Sequence, residues 1–251
     1  MAKRISVWRN ALKSWSSVVH AMYRMPILFG SALVVTFILE TAQERLLPPA
    51  DLLFVPGRTA LTISANITHA LITGLAGGLI NAPVAVAVHR FILLGEHDDR
   101  AIWKWRPEVR PFYMLFVLTF LLGALPRVYA PASPHLENVL WASLQATACF
   151  VYCRVFLIFP ATAIGSPHAN IEDCWQSSQG NFWYFFWTIA FTLLPWLVCS
   201  LLTYQAFVTR HISPPGAIYT VMVLVFAAVV PAVGSQLYRQ FGSRSVLFAE
   251  T

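Results

Sequence analysis

Charge is what this sequence has least of. Only 11% of its 251 residues are Asp, Glu, Lys or Arg, against about 25% in an ordinary soluble domain. Apolar residues make up 57%, against about 45–50%, and a soluble globular enzyme is excluded by that balance. The few charges are unevenly placed as well, since residues 59–89, 174–209 and 211–238 contain none. Crossing a hydrocarbon core takes roughly 20 apolar residues in a helix, and each run exceeds that. The chain therefore reads as an all-α integral membrane protein, a single polytopic domain over 1–251.

Cysteine is scarce too. Cys149, Cys153, Cys174 and Cys199 form no CxxC pair, so neither a disulfide framework nor a zinc site is indicated, and they read as small apolar side chains. Acidic residues number 11, and those nearest the apolar runs, Glu40 and Glu137, fall at span ends, which argues against proton coupling. There is no HExxH, GxSxG or GxxxxGK[ST], and no acidic pair placed to share a buried substrate. No enzymatic activity, cofactor or metal is expected. The first 25 residues lack a continuous apolar core, so no secretory signal is expected either.

What the chain does have is order among its apolar and basic residues. Ile5, Trp8, Leu12, Trp15, Val18, Val19 and Met22 recur at steps of three and four, interleaved with Lys3, Arg4, Arg9 and Lys13. That pattern predicts an amphipathic helix over 1–25 lying in the headgroup plane. Pro26 suits the first turn of a following span. Six spans are expected, at about 26–42, 59–94, 111–129, 136–164, 181–208 and 216–238, with Pro48, Pro49, Pro56 and Gly57 marking 43–58 as an external loop.

The 17 basic residues sort by side when these spans are threaded. Twelve fall with the two termini and the second loop, and four (Arg45, Arg58, Arg127 and Arg210) fall opposite. Lys and Arg collect on the cytoplasmic side of short loops, so both termini are expected in the cytoplasm. Attraction to anionic phospholipid headgroups, about 1 kcal/mol per basic residue near the surface, accounts for the net charge of +6 without a nucleic-acid partner.

Three units can be overlaid. Each opens on a Trp-bearing polar segment (Trp15; Trp103 and Trp105; Trp175), and each second span ends in a similar motif: VHRFILL at Arg90, YCRVFLI at Arg154, LYRQFGS at Arg239. The pattern predicts three pseudo-repeats of amphipathic helix plus helical hairpin. Arg154, Arg90 and Arg239 are then candidate lipid or anion contacts, and Trp8, Trp15, Trp103, Trp105, Trp175 and Trp183 candidate interfacial anchors.

Arg154 stands out as the seventeenth basic residue. It lies ten positions before Ile164, the expected cytoplasmic end of its span, or about 15 Å deep at 1.5 Å per residue. An arginine at a helix centre costs roughly 2.5–3.5 kcal/mol on insertion scales. Its partner is expected to be a lipid phosphate, carbonyls opened at Pro160, or Glu172 and Asp173 folding back. Other intramembrane polar groups are Asn66, His69, Asn81, His89, Gln145, Gln205 and Gln236. The two histidines read as interhelical hydrogen-bonding groups, worth about 0.6–2 kcal/mol each. Thr73 with Gly77 and Gly74 with Gly78 form a small-xxx-small face suited to close helix contact.

The run RVFLIFPATAIG at Arg154–Gly165, followed by IEDCWQSSQGNFWYFF at Ile171–Phe186, resembles six-pass bacterial membrane proteins related to the membrane domain of some glycerophosphoryl diester phosphodiesterases. The matching positions are Arg154, Pro160, Ala161, Trp175, Gly180, Asn181 and Trp183, and RFILLGE at the end of the second span fits as well. The resemblance implies a multi-pass protein of the bacterial inner membrane. This chain has Gln176 and Tyr184 where relatives often carry basic residues, and it contains no soluble phosphodiesterase domain, so that activity is not implied. Locally, Asn170 can cap the loop helix with Asp173 in its first turn, Gly180 can end it, and Asn181 can cap the next span.

The function expected is non-enzymatic: membrane organisation, assembly or lipid-surface interaction, with the bilayer, its anionic headgroups, and a membrane-protein partner or second copy as partners. The alternative is a transporter or channel for a small or lipid-like anion, with Arg154 as its binding charge.

Overall fold

The computed structural model describes residues 6–46, 60–128, 134–208 and 216–242, and among them every regular element is helical. The order is α1 (Val7–Arg24), α2 (Pro26–Leu46), α3 (Ala60–Leu94), α4 (Val109–Val128), α5 (Pro134–Val155), α6 (Ile158–Ala163), α7 (Ile171–Ser177), α8 (Phe182–Val208) and α9 (Gly216–Phe241). Three stretches among the described residues are long and apolar enough to cross a membrane: Gly74–Leu94, Phe182–Thr203 and Thr220–Phe241. A fourth is added if α1 and the first part of α2 form one bent span. The protein is all-helical and of membrane type. The apolar stretch Val109–Thr119 in α4 is shorter than that test requires.

Pro26 begins α2 as expected, and it also explains what precedes it. A proline disfavours the helical conformation in the residue before it, and Met25 sits at φ −126°, ψ 57°. The axes of α1 and α2 consequently meet at 93°. Ser6 caps the start of α1, its side chain accepting from the Arg9 amide at 3.3 Å.

α1 has three faces. Asn10, Ala11, Ser14, Val18 and Ala21 are buried against α8 and α9. A second stripe, Trp8, Leu12, Val19 and Tyr23, is apolar yet exposed, and a third carries Arg9, Lys13, Ser16, His20 and Arg24, all exposed. The buried face is fastened by side chains from far along the sequence. The Asn10 amide donates to the Tyr184 hydroxyl at 2.9 Å, Gln240 donates to Asn10 Oδ1 at 2.7 Å, and Tyr184 donates to Gln240 Oε1 at 3.0 Å. Ser17 accepts from Gln236 at 3.1 Å, and the Trp15 indole donates to the Thr192 carbonyl at 2.9 Å. That carbonyl is next to the one at Phe191 that Pro195 leaves without an amide.

α3 and α9 form the centre, with 72% and 61% of their apolar stretches buried, whereas α8 has 17% buried and lies at the rim. One core cluster joins Phe112, Phe156, Phe159, Phe185 and Leu237. The other joins Val18, Met25, Leu28, Val84, Val88 and Val229. α3 meets α4 at Gly78, where an added Cβ would stand 2.8 Å from Tyr113 Cε2 and 3.1 Å from Phe116 Cδ1. The small-residue face therefore serves packing within the bundle. Gly78→Leu is expected to overpack this contact and destabilise the protein by about 1–3 kcal/mol, read as a lower midpoint of denaturant unfolding.

Three expectations are corrected. The single span at 136–164 is divided into α5 and α6, because Pro160 offers no amide to the Phe156 carbonyl and its ring crowds it. That carbonyl takes instead the Phe159 amide, at 3.4 Å. The helix expected around Trp103 and Trp105 is a run of turns over 99–104, initiated by the Asp98 side chain accepting from the Arg100 amide at 3.2 Å, the local competition that Asp offers a helix. The segments that open the three units thus differ, being 18 helical residues in α1, turns in the second and seven helical residues in α7. The loop expected at 43–58 begins later, since α2 runs to Leu46, and its remainder over 47–58 lies outside the described residues, as do the side chains of Asn66 and His69.

Candidate functional site

One end of the bundle carries nearly all the chemistry the sequence singled out. The end of α3, the start of α4, α6, α7 and the end of α9 are found there, tied to one another or to α5 by the three motif arginines.

Arg90 is committed to carboxylates. Its Nε donates to Glu96 Oε2 at 2.9 Å and its Nη2 to Glu96 Oε1 at 2.7 Å, the two-pronged geometry that suits guanidinium to carboxylate. Its Nη1 reaches the Ala163 carbonyl at 3.2 Å and Glu108 Oε1 at 3.5 Å. Arg106 extends the network to Glu96 and Asp98, at 3.0 Å each. The Arg90 hydrogen bond holds the Glu96 carboxyl below the ordinary glutamate range, against the opposing effect of burial. Arg90 ties α3 to Glu108, at the start of α4, and to α6, a structural role beside the lipid or anion contact expected of it.

Arg239 is also engaged. Its Nη2 donates to the Ile92 carbonyl, in the last turn of α3, where carbonyls have no partner within the helix and a cation is favoured by the helix dipole. It caps α3 from α9. That role stands beside the lipid or anion contact expected of Arg239.

Arg154 differs from both. It is only 8% exposed, and its guanidinium carbon lies 4.5 Å from the centroid of the Trp175 ring. Its backbone carbonyl accepts from the Ser178 hydroxyl at 2.9 Å, which ties α5 to α7. Its Nε is buried without a hydrogen-bond partner, and among the described residues no carboxylate pairs with it. Neither acidic residue of α7 folds back. Asp173 is taken by His168 and Asn170, both at 2.9 Å, which hold its carboxyl low, and Glu172 accepts from Gln176 at 3.4 Å. Stacking on an indole satisfies a guanidinium's flat face and leaves its in-plane donors directed outward.

α7 is built largely as its sequence predicts. Asn170 accepts from the Asp173 amide at 2.8 Å, and the chain turns out of the helix at Gly180, φ 72°. Asn181 departs from expectation: its Oδ1 has no partner, and its amide donates to the Gln179 carbonyl at 3.1 Å. Cys174 is buried, which pushes its thiol up to about 12. Of the tryptophans, Trp8 packs edge-on to Phe191 and is exposed, Trp103, Trp105 and Trp183 are exposed, Trp15 is tied to α8, and Trp175 lies under Arg154.

A cavity of about 320 Å³ opens among α3, α4, α5, α6, α8 and α9, with Asn81, His89, Phe112, Tyr152, Phe156 and Pro231 in its wall. His89 Nδ1 and the Ser235 hydroxyl are 2.8 Å apart, the interhelical bond expected of that histidine. Arg154 is not in the wall. Residues two apart on a helix lie about 160° from each other, so the face of α5 that offers Tyr152 to the cavity turns Arg154 the other way. The chain matches no family model, no curated protein and no solved structure.

Proposed function

We propose that the protein is a non-enzymatic component of the bacterial inner membrane whose cytoplasmic face holds anionic phospholipid headgroups, serving membrane organisation or the assembly of a partner or second copy. On this reading α2, α3, α4, the α5–α6 pair, α8 and α9 are the six crossings, both termini are cytoplasmic, and the chain stands beside the six-pass proteins it resembles.

The observation that carries the reading is the three-sided character of α1. A helix with one face against protein, one exposed apolar stripe and one basic stripe has a place to put all three only at a membrane surface. Its 93° angle to α2 lays it in the plane of a bilayer that α2 enters. Arg154 supports the reading as a guanidinium with no carboxylate of its own, held on an indole at the same end. The transport alternative lacks such support, because the cavity wall does not include Arg154.

The triple variant Arg9→Gln, Lys13→Gln, Arg24→Gln tests this. All three residues are exposed, so unfolding should be unchanged. At about 1 kcal/mol per basic residue, phosphatidylglycerol retained through purification from mixed bilayers should fall by about 100-fold relative to phosphatidylcholine. Unchanged retention would refute the headgroup role of α1.

A further inference from the structure

The cavity is elongated. Asn81 and His89 mark its length on α3, eight residues and so about 12 Å apart at 1.5 Å per residue. Val223 and Pro231 mark the same span on α9. Spread over that length, 320 Å³ gives a section of about 27 Å². That shape suits a chain better than a disc. The walls are aromatic and aliphatic, with no Asp, Glu, Lys or Arg among them.

One polar group in the wall is not accounted for. The Thr119 hydroxyl donates to the Leu115 carbonyl at 2.8 Å and His89 is paired with Ser235, but Asn81 Oδ1 is buried with no partner. Asn81 lies 13 residues before the end of α3, about 20 Å in from Leu94, within the apolar stretch Gly74–Leu94. In hydrocarbon no water is at hand to satisfy an amide, and each unsatisfied group there costs several kcal/mol. A side-chain amide both donates and accepts, so a hydroxyl can answer either of its ends. A charged head at that depth is disfavoured, which excludes an ordinary phospholipid entering head first.

We infer that the cavity is a binding site for a neutral, long-chain alcohol, with its hydroxyl on the Asn81 amide and its chain running along Phe112, Phe156 and Phe159 towards His89. The site is separate from the headgroup contacts proposed above, since it lies on the opposite face of α5 from Arg154.

The test uses the full chain in phosphatidylcholine nanodiscs, photolabelled with a diazirine analogue of 1-decanol. Labelling should map to the cavity wall, and unlabelled 1-decanol should compete at least tenfold better than decane. Asn81→Leu should abolish that tenfold difference while leaving labelling of the wall, and Ala227→Trp, which fills the cavity, should abolish labelling of the wall. Equal competition by decanol and decane in the unaltered protein would overturn the inference without recourse to any variant, by showing a void filled by bulk lipid only. A preference that survives Asn81→Leu, or labelling that survives Ala227→Trp, would overturn it as well.

Discussion

Arg154→Met is expected to leave the bundle folded and to remove most of the protein's selective retention of anionic lipid. The substitution keeps an unbranched apolar stem at this position and deletes a cation, seated on Trp175, that no described carboxylate balances. Deleting a buried, uncompensated charge does not weaken a fold and often strengthens it, so the unfolding midpoint in neutral bilayers should hold or rise. The tie from Ser178 to residue 154 runs through the backbone carbonyl and survives the change. Hydrogen bonds to charged groups are worth about 1.5–3 kcal/mol, so retention of phosphatidylglycerol should drop by about 10- to 150-fold. Arg154→Lys should recover only part of it, because an ammonium offers neither the flat face that stacks on indole nor the paired donors that fit phosphate. Lipid analysis of the purified protein alongside thermal unfolding reads both effects. Undiminished retention in the methionine variant would show that Arg154 holds no headgroup.

The opposite result is expected one motif away. Arg90→Met should destabilise the protein by about 1–3 kcal/mol, between the values for exposed and buried ion pairs, because Glu96 is partly open to solvent, at 37% exposure. Glu108 and the Ala163 carbonyl lose this donor, and Glu96 is left with Arg106 alone. Acid should expose the same linkage. The folded state depresses Glu96, so its contribution is complete above the ordinary glutamate range and is lost as the pH falls through the depressed folded value. The unaltered protein should therefore lose stability on the acid side, and Arg90→Met should flatten that loss. A variant as stable as the parent, with the same acid limb, would show that the network contributes nothing.

These two arginines occupy the same place in the same short motif, and nothing in VHRFILL or YCRVFLI distinguishes them. What separates them is packing. Arg90 meets a glutamate six residues on and another 18 residues on, carried to it by a glycine turn at Gly95 and the return of α4. Arg154 meets a tryptophan carried by α7 after the chain breaks at Pro160. Signals confined to a few neighbouring residues were legible in the sequence, such as Pro26 at a helix start, Asn170 at a cap and Gly180 at a turn. The periodicity of α1 was legible as well, but only as two faces. Its third face consists of small and polar residues, Asn10, Ala11 and Ser14, whose burial is decided by Tyr184 and Gln240 more than 170 positions away. The cavity was not legible, because a void has no sequence of its own, and Asn81 and His89 stood out only as two of seven intramembrane polar groups.

The fastening of α1 bears on how the molecule is made. Its hydrogen bonds reach 174 residues forward to α8 and 230 forward to α9, so α1 is made well before the helices that cover its buried face. Until α9 is made, Asn10 lacks its Gln240 partner, and on the function proposed above the exposed apolar stripe of α1 keeps it at the bilayer surface meanwhile. Closure of the described bundle is thus coupled to the arrival of α9: the buried face of α1 is fully covered only once that helix is in place.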